Sequence, residues 1–203
     1  MQDQDTKDLH KIVDIISTKL SENVLVAKIY YRLKDPCSTL NKMFRKSKSL
    51  QELNDLVAFR IIVDRQEYCY KALDIISNIF FVKIKKTKNY IDHPKDNGYR
   101  SLHTIAVAVI GMYDRNIEIQ IRTSKMHDIA EFGTAKHGDY KRKQEAKISK
   151  LFLMGLFDTP NINTELNKVY DLFNQFNWTI PELIAYEQAI ENLWHNFQKK
   201  LEI

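Results

Sequence analysis

Glycine and proline are scarce, 5 and 4 in 203 residues. That excludes a collagen-like chain, a flexible or proline-rich linker and a disordered low-complexity protein, and no internal repeat is visible. Cysteine is scarcer still: Cys37 and Cys69 alone. They form no CxxC and have no His partner at zinc spacing, so a disulfide framework and a zinc site are both unexpected. Reduced thiols of a cytoplasmic protein are the default. Long apolar runs are absent. The longest, Leu151 to Phe157, is too short to cross a bilayer. The opening M-Q-D-Q-D-T-K-D is polar and acidic, which is no signal peptide. The expectation is a soluble, cytoplasmic protein with no membrane partner.

What is present suits an ordinary folded domain. Hydrophobic residues make up 44% and the net charge is +5, with a pI near 9.0. That excess accommodates an anionic ligand or nucleic acid without requiring either. Leu9, Ile12, Val13, Ile16 and Leu20 recur at helical spacing. Residues 28–50 are basic, with one acid, Asp35. Pro36 suits a first helical turn, so a helix is predicted from there to about residue 46. Ser38, Lys42 and Arg45 then share one face. A helix N-terminus beside cations is an anion site, although for such a run alone a solvated basic face is the more common case.

Residues 53–63 predict a turn of helix feeding a buried strand, Val57 to Val63. Asp55 stands at its entrance. Arg60 interrupts an apolar run, where a charge is costly unless paired or facing a site. A helix is predicted over 66–80, with Tyr70, Leu73, Ile76, Ile79 and Phe80 on one side. Phe80 to Lys86 alternates like a strand. The polar connection up to Thr104 carries Lys88, Tyr90, Lys95, Tyr99 and His103, with a turn at Asn97-Gly98. Thr104 to Ile110 predicts a strand joined by a hairpin to a second one. In that second strand, Ile117, Ile119 and Ile121 alternate with Glu118, Gln120 and Arg122. One face offers a core three isoleucines; the other presents a carboxylate, an amide and a guanidinium. Residues 124–140 resume helical spacing, and Pro181-Glu182 opens an amphipathic helix.

The order of pieces carries more than any one of them. R-L-K-x-x-x-S-x-x-x-K (Arg32 to Lys42) comes first and D-L-V-A-F-R-I-I-V (Asp55 to Val63) follows. N-Y-I-D-H-P-K-D-N-G-Y-R-S-L-H-T (Asn89 to Thr104), E-I-Q-I-R-T (Glu118 to Thr123) and M-H-D-I-A-E-F-G-T-A-K-H-x-x-Y-K (Met126 to Lys141) complete it. Together these closely resemble the synthetase domain of the RelA/SpoT homologue family, makers of (p)ppGpp. The resemblance covers about residues 28–143. It implies an α+β fold, a mixed β-sheet flanked by helices and related to nucleotidyltransferases. The domain would span 1–147, with 148–203 a C-terminal helical extension. It further implies that the 3′-hydroxyl of GDP or GTP attacks the β-phosphorus of ATP, that AMP leaves, and that Mg²⁺ assists.

By the same resemblance, Asp55 is a Mg²⁺ ligand, and Glu118 binds Mg²⁺ or helps deprotonate the hydroxyl. Arg32 and Arg60 stack on adenine, while Lys34, Ser38 and Lys42 contact the ATP phosphates. Tyr99 stacks on guanine; Lys88, Lys95, Asn97, His103 and Gln120 belong to the guanosine site. Arg122 is support rather than ligand. The chain departs from long members at Lys86 to Asn89, K-T-K-N in place of R-x-K-D, and at Gly138, in place of a Trp. No hydrolase domain fits ahead of residue 28, which implies a stand-alone synthetase. The same chemistry on a tRNA 3′ end, a non-catalytic nucleotide-binding remnant and a homo-oligomer stay open.

Overall fold

The computed structural model describes residues 8–110, 113–133, 160–174 and 179–201. In chain order its elements are α1 (Asp8–Glu22), β1 (Lys28–Leu33), α2 (Pro36–Lys46), β2 (Val57–Val63), α3 (Gln66–Ile79) and β3 (Phe81–Val82). After a 3₁₀ turn, Ile84–Lys86, come β4 (Lys88–Asn89), β5 (Leu102–Ile110), β6 (Tyr113–Thr123), α4 (Ser124–Phe132), α5 (Pro160–Phe173) and α6 (Ile180–Leu201). The chain divides into two compact units. One comprises Asp8–Leu33 and Asn54–His137; the other comprises Met1–Lys7, Lys34–Leu53 and Gly138–Ile203.

The first unit is built on a mixed sheet in the order β1-β2-β6-β5-β3, with β4 also paired to β5. β2 and β6 run parallel; the other pairs are antiparallel. Period-two alternation sorts the side chains. Phe59, Ile61, Ile117, Ile119 and Ile121 are fully buried on one face. Cys69, Ala72, Ile75 and Ile76 of α3, and Leu9, Ile12, Ile16 and Leu20 of α1, are buried as well. α1 packs on β1 and α3, and α3 packs on β6. The buried side of α3 is rotated from the expected one: Tyr70 and Leu73 are only half-buried. The small side chains Cys69 and Ala72 lead instead, and the Tyr70 hydroxyl bonds Asp92 Oδ1 at 2.7 Å.

The mixed sheet, α2, β2, β5, β6 and the C-terminal helix follow the sequence reading. Four details differ. β1 was hidden inside the basic stretch, because its Tyr30 and Arg32 blur the alternation of Ile29, Tyr31 and Leu33. The expected turn of helix before β2 is only a hydrogen-bonded turn, Leu53 N to Leu50 O. The alternating stretch after α3 pairs for just two residues. Lys83 N still reaches Ile105 O, but β4 takes the next positions on β5, and the 3₁₀ turn absorbs the residues between. The expected helix over 124–140 runs as α4 to Phe132 and meets Gly133, whose N–H closes on Ile129 O. The remainder of that stretch lies outside the described residues.

The second unit joins α2 to α5 and α6. Asp35 caps α2, its carboxylate accepting from Ser38 N at 2.9 Å, and Pro36 occupies the first turn. Tyr186 of α6 is fully buried and its hydroxyl donates to the Lys34 carbonyl at 2.8 Å. Tyr170 of α5 donates to Cys37 Sγ at 2.9 Å. None of the described helices is long and apolar enough to cross a membrane.

Candidate active site

The polar face of the sheet collects residues from every long strand. Tyr30 stands opposite Arg60, and Arg32 opposite Ala58. Across the parallel pair, Ala58 meets Glu118, Arg60 meets Gln120 and Ile62 meets Arg122. His103 of β5 is paired with Gln120 and with Lys88 of β4. Partners in register point to the same side. Arg32, Arg60, Lys88, His103, Glu118, Gln120 and Arg122 therefore share one face, although they come from five strands and span most of the unit.

Arg32 and Arg60 are diagonal neighbours with Ala58 between them, the smallest side chain of the row. A pocket of about 70 Å³ opens there, lined by Tyr30, Arg32, Ala58, Arg60 and Gln120 among others.

Next to it, hydrogen bonds converge on Glu118. Gln120 Nε2 donates to one carboxylate oxygen at 2.8 Å. His103 Nδ1 lies 3.4 Å from the other, and its Nε2 is 2.7 Å from the Tyr99 hydroxyl. Burial tends to raise the Glu118 pKa. The bond and charge of His103, the Gln120 bond and the charge of Arg32 outweigh it, holding the carboxyl at about 2. Tyr99 is raised, mainly by burial.

The loop before β5 is tied to this chain of bonds. Gly98 has φ 78°, the left-handed conformation glycine adopts at little cost, and its N–H bonds Lys95 O. Asn97 Oδ1 accepts from Tyr99 N at 3.2 Å. Lys95 Nζ rests 4.6 Å from the Tyr90 ring centre and 4.9 Å from that of Tyr99, within cation–π range. Tyr90 stands edge-on to His103. Asn97 and Lys95 thus shape the loop that presents Tyr99. Asn89, the departure from the long members, organises a turn: its Oδ1 accepts from Ile91 N and Asp92 N.

Asp55 is half-buried two residues ahead of β2, on the approach to the strand whose Ala58 faces Glu118. Among the described residues, no group of three or more His, Cys, Asp or Glu side chains forms a metal cluster. Lys34, Ser38 and Lys42 belong to the other unit, where Ser38 and Lys42 lie one turn apart on α2. The N-terminus of α2 is not an open anion site. Asp35 already fills it, so any anion there is held by side chains rather than by free helix amides.

One group of residues was missed in the sequence. Arg122, 1% exposed, donates from Nη2 to Glu131 Oε1 at 2.8 Å and to His127 Nδ1 at 2.7 Å. The same Glu131 oxygen pairs with Arg60 Nη1 at 3.1 Å. The signal was available: His127 and Glu131 are one helical turn apart directly after a strand bearing an inward arginine.

Comparison with known proteins adds three findings. A family model described as a region found in RelA / SpoT proteins matches residues 31–145. GTP pyrophosphokinase rsh of Brucella ovis is 40% identical over 138 residues, 68% of this chain and 18% of the relative. The chain thus spans under a fifth of that protein's length. Among solved structures, a GTP pyrophosphokinase family protein from Streptococcus pneumoniae aligns with TM-score 0.56 and 21% identity, over 92% of this chain and 89% of that one. The small alarmone synthetase 2 of Bacillus subtilis aligns with TM-score 0.52 and 23% identity, over 96% and 92%. These structures share the fold.

Proposed function

Since this chain belongs to the family that carries the RelA / SpoT region, we propose that it makes (p)ppGpp, transferring pyrophosphate from ATP to the 3′-hydroxyl of GDP or GTP and releasing AMP. The observation that carries the reading is the single polar sheet face. There a diagonal arginine pair flanks a slot beside an ionised glutamate. Diagonal neighbours on adjacent strands lie roughly 7–8 Å apart, about the separation of two planes with an aromatic base between them. Arg32 and Arg60 hold the adenine in that slot, a planar-cation role that lysine fills poorly. Lys34, Ser38 and Lys42 bind the ATP phosphates. On the acceptor side, Tyr99 stacks on guanine and Lys88, Lys95, Asn97, His103 and Gln120 surround it. The acceptor's 3′-oxygen gives its proton to solvent and bonds to the β-phosphorus, the bond from that phosphorus to the α–β bridging oxygen breaks, and AMP leaves.

The donor set fits Mg²⁺. Asp55 and Glu118 are hard carboxylate ligands, and the Glu118 carboxylate is already oriented by Gln120. That suits a cation ligand. Asp55 and Glu118 would hold the ion, which when bound neutralises charge on the phosphate oxygens. Gln120 and His103 orient the Glu118 carboxylate, and Tyr99 orients His103.

The test is turnover of purified protein with Mg²⁺, γ-³²P-labelled ATP and either GDP or GTP. Label in guanosine tetra- or pentaphosphate, lost on chelation of the metal, is the expected result. No transfer to either acceptor, with both nucleotides shown to bind, would overturn the reading.

A further inference from the structure

We infer that Glu131 is a positioning residue of the donor site, holding the Arg60 guanidinium beside the base that it stacks on. The inference rests on the reading of the Arg32–Arg60 slot as the adenine site. Three observations support it. Glu131 Oε1 meets Arg60 Nη1 at 3.1 Å as an ion pair, so the carboxylate's charge holds the head of the guanidinium beside the slot. Glu131 is itself held by a fixed group: Arg122 is 1% exposed and donates to the same oxygen at 2.8 Å. Arg122 is fixed in turn by His127. A guanidinium only donates, so His127 Nδ1 accepts and its ring proton sits on Nε2. The imidazole is accordingly pushed toward the neutral form, by burial first and then by Arg122 and Arg60. His127 also stacks on Tyr30, another wall of the slot. α4 therefore grips the slot at two points one turn apart, with buried Arg122 as the pin.

Without the carboxylate, two guanidiniums would face each other uncompensated. Arg60 would swing toward solvent and leave the slot. The consequence falls on the adenine. Glu131 makes no hydrogen bond to Tyr99 or His103, and its two arginines reach Tyr99 only through their charge.

Titration calorimetry with AMP, a non-hydrolysable ATP analogue and GDP tests this on wild type, Glu131→Gln, Arg60→Ala and the double variant. The expected result is a loss on the order of tenfold for AMP and for the analogue in E131Q, with GDP affinity unchanged. The double variant binds adenine nucleotides no more weakly than R60A, because both changes remove one interaction. E131Q that binds AMP like wild type, or losses that add in the double variant, overturn the inference alone. A wild type that binds neither adenine nucleotide overturns the assignment of the slot beneath it. Should E131Q fail to unfold cooperatively, Glu131→Asp, which keeps the charge on a shorter arm, takes its place in the same cycle. Adenine affinity in E131D must then fall while GDP affinity holds.

Discussion

Glu131 shares one oxygen between two arginines, and this should be visible in the response of the fold to acid. Burial works to raise its pKa, but the Arg122 bond and the Arg60 charge hold it below the ordinary 4.5. Its contribution to stability is therefore complete above that value and is lost as pH falls from there toward the lower folded pKa. Denaturant unfolding of E131Q should show a shallower loss of stability below pH 4.5 than wild type. Equal slopes would mean that the charge is not engaged. Glu118 is the other decisive side chain. Glu118→Gln keeps shape but removes the charge and one of the two acceptor oxygens that Gln120 and His103 meet, and turnover should drop about 10²–10⁴-fold, the range for loss of one acid–base or charge-stabilising group. A rate near wild type would remove Glu118 from the machinery. Both glutamates were not equally legible in the sequence. Glu118 announces itself as a poor strand former alternating with isoleucines. Glu131 sits on a helix surface where acids are ordinary; its spacing from His127 after the strand of Arg122 was its one mark in the sequence, and its pairing with Arg60 appears only in the fold.

Among the elements, the β1–β2 pair makes the slot through a size contrast: Ala58 between Arg32 and Arg60. Ala58→Leu should fill it, weakening ATP analogue binding by more than about tenfold while GDP binding persists, since overpacking a site costs around 1–3 kcal/mol. Unchanged analogue affinity would move the donor base elsewhere. β6 could be read from its alternation, and β2 and β5 from their nearly unbroken apolar runs. β1 could not, because as an edge strand it carries a tyrosine on each side, Tyr30 among cations and Tyr31 among apolar residues. The 3₁₀ turn after β3 was also beyond reach. It exists because β4 competes for the same edge of β5, a fact about partners rather than about local residues. α5 was expected only within a helical extension over 148–203 and without bounds of its own, since Asn-rich, lightly charged stretches predict loops as readily as helices.

For the molecule as a whole, the excess of five positive charges should speed capture of anionic nucleotides. Apparent affinity for ATP should fall steadily between low and high ionic strength, as screening shortens the field's reach to about 3 Å at 1 M salt. A flat response would confine the electrostatics to direct contacts. The order of motifs made the family and the mixed sheet recognisable from sequence. That α2 belongs with α5 and α6 was not recognisable, because the contacts joining them span more than a hundred residues. The parallel pairing of β2 with β6 has a consequence for how such a gene can change. Deleting a single codon within β6 would turn every later side chain of the strand over, putting isoleucines toward the nucleotides and Glu118 or Arg122 toward the core. Deleting two would keep the faces and cost only alignment. Lineages of this fold should therefore tolerate even-numbered length changes in that strand and purge odd ones, so that the greasy side of the sheet acts as a reading-frame check on its chemistry.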